Sequence, residues 1–245
     1  GGMCDNPRYA LAEQCLNRII KTKDDYTSVY KADLLSAFRY YADRGSIELL
    51  ATAATFAFLP HYIDIPEAIN AQIEAGLLAH RHFFGVIPDG FWLPSMGYND
   101  GLEQILRNYG FTYTVLDSHG LLFSKPCPYT GIFAPARCEN GLVLFARDFS
   151  VETQVSGNEG YIRNPVYRDQ DRDLAFEADA DELKDFISDN GARKFSGYKY
   201  WNQAGDEFSW YDSDKAKKQI IEDAKDFVSK KTEMLNKAEV MLETS

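Results

Sequence analysis

Along the first 45 residues, apolar side chains recur three and four positions apart. The pattern predicts amphipathic helices over 7–23 and 29–44, the second with Leu34, Leu35, Phe38 and Tyr41 on one stripe. Gly45 stops that helix, and the largely apolar run 46–52 predicts a short strand of the kind buried in a parallel sheet. Pro66 suits the first turn of a helix over 67–84 that keeps Ile69, Ile73, Leu77 and Leu78 on one face until Gly85 ends it. A strand over 90–93 follows.

The alternation continues with a helix over 101–109 and strands over 111–116 and 142–145. This is the pattern of βα units with a parallel sheet or barrel, and it excludes an antiparallel all-β fold. Between 120 and 141 the glycines and prolines predict irregular strands and turns rather than helix, and make this stretch a candidate binding loop. A helix over 179–190 is stopped by Asn190-Gly191. Asp212 or Ser213 caps a long final helix over 215–244 with Ile220, Ala224, Phe227 and Val228 on its apolar stripe. The far end of that helix is poor in large apolar residues and is expected to project towards something outside the chain. There is no internal repeat.

Composition narrows the function classes. With 245 residues, 45% of them hydrophobic and 14% aromatic, the chain can bury a sizeable core. The 37 acidic against 26 basic residues leave a formal charge of −11, which repels phosphate backbones and anionic lipid; the expected partner is neutral, with no nucleic acid and no membrane. Nothing approaches the roughly 20 apolar residues of a membrane span, no signal segment is visible, and a cytoplasmic location is expected. Cys4, Cys15, Cys127 and Cys138 lack metal-ligand spacing, so reduced thiols, no metal and no cofactor are expected. Residues 1–3, Gly1-Gly2-Met3, read as a cloning scar, and 4–245 as one domain excised from a longer protein.

Two segments are more particular. One runs from Gly45 through Glu48 and Thr55-Phe56 to Leu59-Pro60, and the other is Gly90-Phe91-Trp92-Leu93-Pro94-Ser95-Met96-Gly97-Tyr98. They resemble the second and third motifs of glycoside hydrolase family 57. Weaker similarity continues through Asp117-Ser118-His119-Gly120, Phe145-Ala146-Arg147-Asp148, Ser196-Gly197-Tyr198-Lys199-Tyr200-Trp201 and Tyr211-Asp212. The resemblance spans about four fifths of the chain and lies nearest the α-glucan branching enzymes.

It implies an incomplete or distorted (β/α)7-type barrel with a long C-terminal helix, acting on an α-glucan or oligosaccharide by a retaining mechanism. The family's opening His-bearing strand and its later strand carrying the acid/base Asp are not recognised in the chain. Exposed strand edges are therefore expected, covered by barrel segments from outside the chain or by self-association.

A retaining glycosidase needs two carboxyl groups about 5–5.5 Å apart. Ser95 stands where the resemblance places the nucleophilic glutamate, and Phe56 where it places a sugar-binding histidine. Two departures together point to drift rather than to one engineered knockout, and the chain is expected to be inactive. Leu93-Pro94-Ser95-Met96-Gly97 lacks the first glycine of a nucleophile elbow, which disfavours a serine hydrolase. By the resemblance, Trp92, Phe56, His119, Asp117, Tyr98 and Trp201 are the substrate-binding candidates. Trp92 is equally readable as core, and Trp201 as a structural residue. His80 and His82 lie two apart on a helix and cannot jointly clasp a metal, so both read as structural. Glu48 needs a partner if it is buried, and Arg147-Asp148 reads as a structural ion pair. A non-catalytic carbohydrate-binding or scaffold protein is the alternative function; a metal-dependent deacetylase fails for want of an Asp/His cluster.

Overall fold

The computed structural model describes residues 7–184, 191–203 and 209–243. In chain order its elements are α1 (Pro7–Asp24), α2 (Leu34–Asp43), β1 (Ala51–Thr52), α3 (Pro66–Phe84), β2 (Gly90–Trp92), α4 (Leu102–Asn108), β3 (Tyr113–Asp117), α5 (Ser118–Leu122), β4 (Ala136–Arg137), β5 (Val143–Arg147), α6 (Phe149–Ser156), α7 (Leu174–Glu177) and α8 (Ser213–Glu243). They fall into two compact units, Gly1–Val29 with Val151–Met234, and Tyr30–Ser150 with Leu235–Ser245.

The second of these units is built on a five-stranded sheet in the order β1-β2-β3-β5-β4. All neighbours run parallel except β4, which pairs antiparallel with β5. The sheet is not closed among the described residues. This is the mixed α/β architecture that the alternation predicts, open at β1 and β4.

Period-two alternation divides the sheet into two faces. Ala51, Phe91, Thr114, Leu116 and Leu144 point to one face and are buried, joined by Ile69 and Ile73 of α3 and Leu102 and Leu106 of α4. Phe91 and Phe111 pack 5.0 Å apart in this core, and Thr114 donates its hydroxyl to the Phe91 carbonyl at 2.7 Å. The opposite face carries Thr52, Trp92, Tyr113, Val115, Asp117, Phe145 and Arg147, which are half-buried or exposed. One side of the sheet is thus packed and the other half-open.

Helix α3 approaches β1 closely because Gly76 has no side chain; a Cβ there would lie 2.3 Å from the Thr52 carbonyl oxygen. Pro66 occupies the first turn of α3, and Gly85 ends it in a left-handed conformation (φ 77°) as the pattern predicts.

Several expectations change. The strand over 46–52 shrinks to Ala51–Thr52, because only those residues find partners on β2. Helix α2 begins at Leu34 rather than 29, since the Asp33 side chain caps it by accepting the Ser36 N–H at 2.9 Å and Lys31 and Ala32 are left-handed. The stripe of α2 is not buried: Leu34, Leu35, Phe38 and Tyr41 are each 41–49% exposed. Leu78 is exposed on α3. Part of the stretch expected to be turns is helix α5, because the Asp117 side chain accepts the His119 N–H and caps it.

In the first unit, α8 turns an unexpected face inward. Ala216 is buried and Gln219, Asp223 and Phe227 are half-buried, whereas Ile220 and Val228 are exposed. The Tyr167 hydroxyl draws that face in by donating to Asp223, and Tyr161 donates to Asp226. Asp212 caps α8, accepting the N–H groups of Asp214 and Lys215 at 2.9 and 3.1 Å.

Buried Asp173 ties that unit together, accepting from the backbone of Ala175, Ser196 and Gly197 and from the Ser196 hydroxyl at 2.6–3.0 Å. Of the helix expected over 179–190, the described part is turns, and 185–190 lie outside the described residues, as do residues 1–6 with Cys4. Cys15, Cys127 and Cys138 are free. No helix of the described residues is long and apolar enough to cross a membrane.

Candidate active site

The C-terminal ends of parallel strands are where α/β sheets collect ligands. At these ends β1, β2 and β3 are followed by Phe56, Ser95 and His119.

Buried Phe91 and Leu93 anchor β2 in the core, so alternation places Trp92 on the half-open face, half-buried. Its carbonyl accepts the Thr52 hydroxyl at 2.9 Å, which fastens the strand end to β1. Trp92 is therefore not a core residue.

The chain then turns sharply at Pro94–Met96, with Met96 N–H bonded to the Leu93 carbonyl and Gly97 N–H to the Pro94 carbonyl. Ser95 (φ 53°) and Met96 (φ 52°) are both left-handed, a conformation that costs a side-chain-bearing residue about 1–2 kcal/mol. The turn leaves Ser95 exposed, and its hydroxyl has no hydrogen-bond partner among the described residues. Phe56, at the end of β1, is likewise left-handed (φ 55°) and 55% exposed. The two loops meet through Phe58, whose ring lies against Gly97.

At the end of β3, Asp117 Oδ1 accepts from the His119 ring Nδ1 at 2.9 Å and from its backbone N–H at 3.2 Å, while Oδ2 accepts from Arg147 Nη2 at 2.6 Å. The His119 hydrogen bonds and Arg147 hold the Asp117 carboxyl down at about 2, against the opposing effect of partial burial. Arg147 thus pairs across strands. The neighbouring Asp148 accepts from the N–H and hydroxyl of Ser150.

The remaining candidates are committed differently. The Tyr98 hydroxyl donates to Glu103 at 2.6 Å, and burial pushes the phenol far above its ordinary range. Glu48 is exposed and accepts the Tyr113 hydroxyl at 2.7 Å. His80 is buried, with Nδ1 3.1 Å from the Val86 carbonyl, which fits its structural reading.

Trp201 lies in the first unit. It stacks on Trp210, with ring centroids 4.4 Å apart, and carries the Arg172 guanidinium 4.1 Å from its ring; its Nε1 donates to Glu177 at 2.8 Å. No group of three or more His, Cys, Asp or Glu among the described residues is arranged to hold a metal ion.

Sequence reasoning missed Phe58, Phe123 and Phe149 and the bond from Arg147 to Asp117. Only strand register places Arg147 beside Asp117.

The profile of glycosyl hydrolase family 57 matches residues 11–235. The 1,4-alpha-glucan branching enzyme TK1436 of Thermococcus kodakarensis is 27% identical over 237 residues, covering 84% of this chain and 32% of that protein. Among solved structures, the alpha-amylase AmyC from Thermotoga maritima superposes with a TM-score of 0.90 at 30% identity, over 98% of this chain and 47% of that one. The GH57-type branching enzyme from Pyrococcus horikoshii shares the fold, with a TM-score of 0.73 at 24% identity over 92% of this chain and 41% of its own. The chain thus spans from about a third to under half of the length of these relatives.

Proposed function

Because the chain belongs to glycosyl hydrolase family 57, we propose that it binds α-glucan as part of a branching-enzyme-type barrel. The parent reaction would cleave an α-1,4 linkage with retention and pass the glycan to a new hydroxyl. In this chain the reaction is silent.

One observation carries the reading. Residue 95 is displayed at the end of β2, exposed and held out by a left-handed turn, yet it is a serine whose hydroxyl has no base beside it among the described residues. Retention needs a carboxylate to attack the anomeric carbon, and an unassisted hydroxyl is a poor nucleophile at neutral pH. Of the carboxylates singled out above, Glu48 is held by Tyr113 at the opposite, N-terminal end of the strands, and Asp117 is held by His119 and Arg147.

Binding is supported by the half-open face. Trp92 offers an apolar ring to the C–H face of a pyranose, and His119 offers a ring nitrogen to its hydroxyls.

A second reading, a non-catalytic carbohydrate-binding or scaffold protein, is favoured by Phe56, an exposed apolar ring where the family has a sugar-binding histidine. The test that separates the two is Ser95→Glu made in the longest available form of the protein, since retention also needs the acid/base carboxyl not recognised in this chain, and assayed on amylose. Cleavage or transfer appearing identifies an otherwise intact catalytic cleft, and continued silence with glucan binding retained selects the second reading.

A further inference from the structure

The ends of β3 and β5 hold a side-chain relay whose outer member is His119. Asp117 and Arg147 are register partners on adjacent parallel strands, so their side chains leave the same, half-open face of the sheet. The two carboxylate oxygens divide their work, Oδ2 taking Arg147 Nη2 at 2.6 Å and Oδ1 taking His119 Nδ1 at 2.9 Å. The imidazole is also held by aromatic rings: Phe123 stacks at 6.0 Å with an interplanar angle of 11°, and Phe149 meets it edge-on at 5.6 Å.

An ionised carboxylate only accepts hydrogen bonds, so the ring nitrogen facing it must carry the proton. In the neutral ring Nε2 is then the acceptor, on a side chain 62% exposed at the mouth of the strands. A neutral imidazole acceptor suits a hydroxyl and offers nothing to the oxygens of an anion, which agrees with the chain's charge of −11.

We propose that Arg147 and Asp117 are positioning residues that lock His119 as the Nδ1–H tautomer, so that Nε2 accepts a hydrogen bond from a hydroxyl of a neutral saccharide. The role in binding rests on the glucan reading above. Asp117 thereby acts through His119 and not on the sugar itself.

The test is long-range proton–nitrogen NMR of the full chain labelled at histidine nitrogen, about two pH units above the ordinary imidazole range. His119 is assigned by the resonance lost in His119→Gln. The expected parent spectrum shows His119 as Nδ1–H alone. Asp117→Ala moves it to mainly Nε2–H, Arg147→Met gives a mixture, and Arg147→Lys restores the parent form. Maltoheptaose affinity falls about tenfold in Asp117→Ala and Arg147→Met, the worth of one misdirected hydrogen bond.

A parent His119 in the Nε2–H form, or a tautomer indifferent to both substitutions, overturns the lock whatever the glucan result. The expected tautomer in a chain that does not bind maltoheptaose overturns the glucan reading and leaves the lock standing.

Discussion

The ring of Phe58 occupies the space where a side chain on Gly97 would sit: a Cβ built there falls 2.2 Å from a ring carbon. This contact joins the loop after β1 to the loop after β2, and so ties the segment of Phe56 to the turn that displays Ser95.

Gly97→Ala must therefore push Phe58 aside. We expect it to cost about 1–3 kcal/mol, the usual range for overpacking, and to lose most of that cost in the background of Phe58→Ala. Urea denaturation of the four members of the cycle measures it.

Backbone strain at residue 95 gives a prediction of opposite sign for two substitutions. Glycine tolerates the left-handed region at no steric cost, and a β-branched residue does not. Ser95→Gly should leave the midpoint of thermal unfolding unchanged or slightly raised. Ser95→Val should lower stability by about 1–2 kcal/mol.

Much of this fold was legible along the chain, and the physical reason is periodicity. Helix α3 shows its stripe, its proline start and its glycine stop, so both ends could be placed, and the strands over 90–93 and 142–145 stand within a residue or two of β2 and β5. Stripes failed where amphipathicity does not name the buried face. On α8, Ile220 and Val228 are exposed while Asp223 is drawn inward by the Tyr167 hydroxyl, which no hydrophobic count anticipates. The site was legible as two motifs, but not the Asp117–Arg147 pair, which depends on β3 and β5 becoming neighbours.

Gly76 supplies a test of the α3–β1 contact. In a helix, Gly→Ala ordinarily stabilises by up to about 1 kcal/mol, but here the new methyl would lie 2.3 Å from the Thr52 carbonyl oxygen, a backbone atom that cannot step aside cheaply. Gly76→Ala is expected to destabilise by roughly 1–3 kcal/mol, read from the denaturant midpoint at constant slope.

Acid should weaken the site through Asp117. Its folded-state value of about 2 lies below the ordinary 3.8, so the stability it contributes is fully present above that ordinary value and is lost as pH falls through 2. The expected loss is on the order of 1–2 kcal/mol between about pH 4 and pH 2, and Asp117→Asn should remove that part of the slope. Asp173 adds a loss of the same sign in the first unit. Burial pushes its carboxyl up, but the Ser196 hydroxyl and the N–H groups of Ala175, Ser196 and Gly197 outweigh that and hold it below its ordinary value.

Glucan binding at the half-open face is the claim on which the rest depends, and calorimetric titration of the chain with maltoheptaose tests it most directly, beside Trp92→Ala. The account predicts weak, saturable binding that Trp92→Ala reduces about tenfold, as loss of an aromatic stacking platform should. Absence of binding by the parent chain, or equal binding by both proteins, would contradict it.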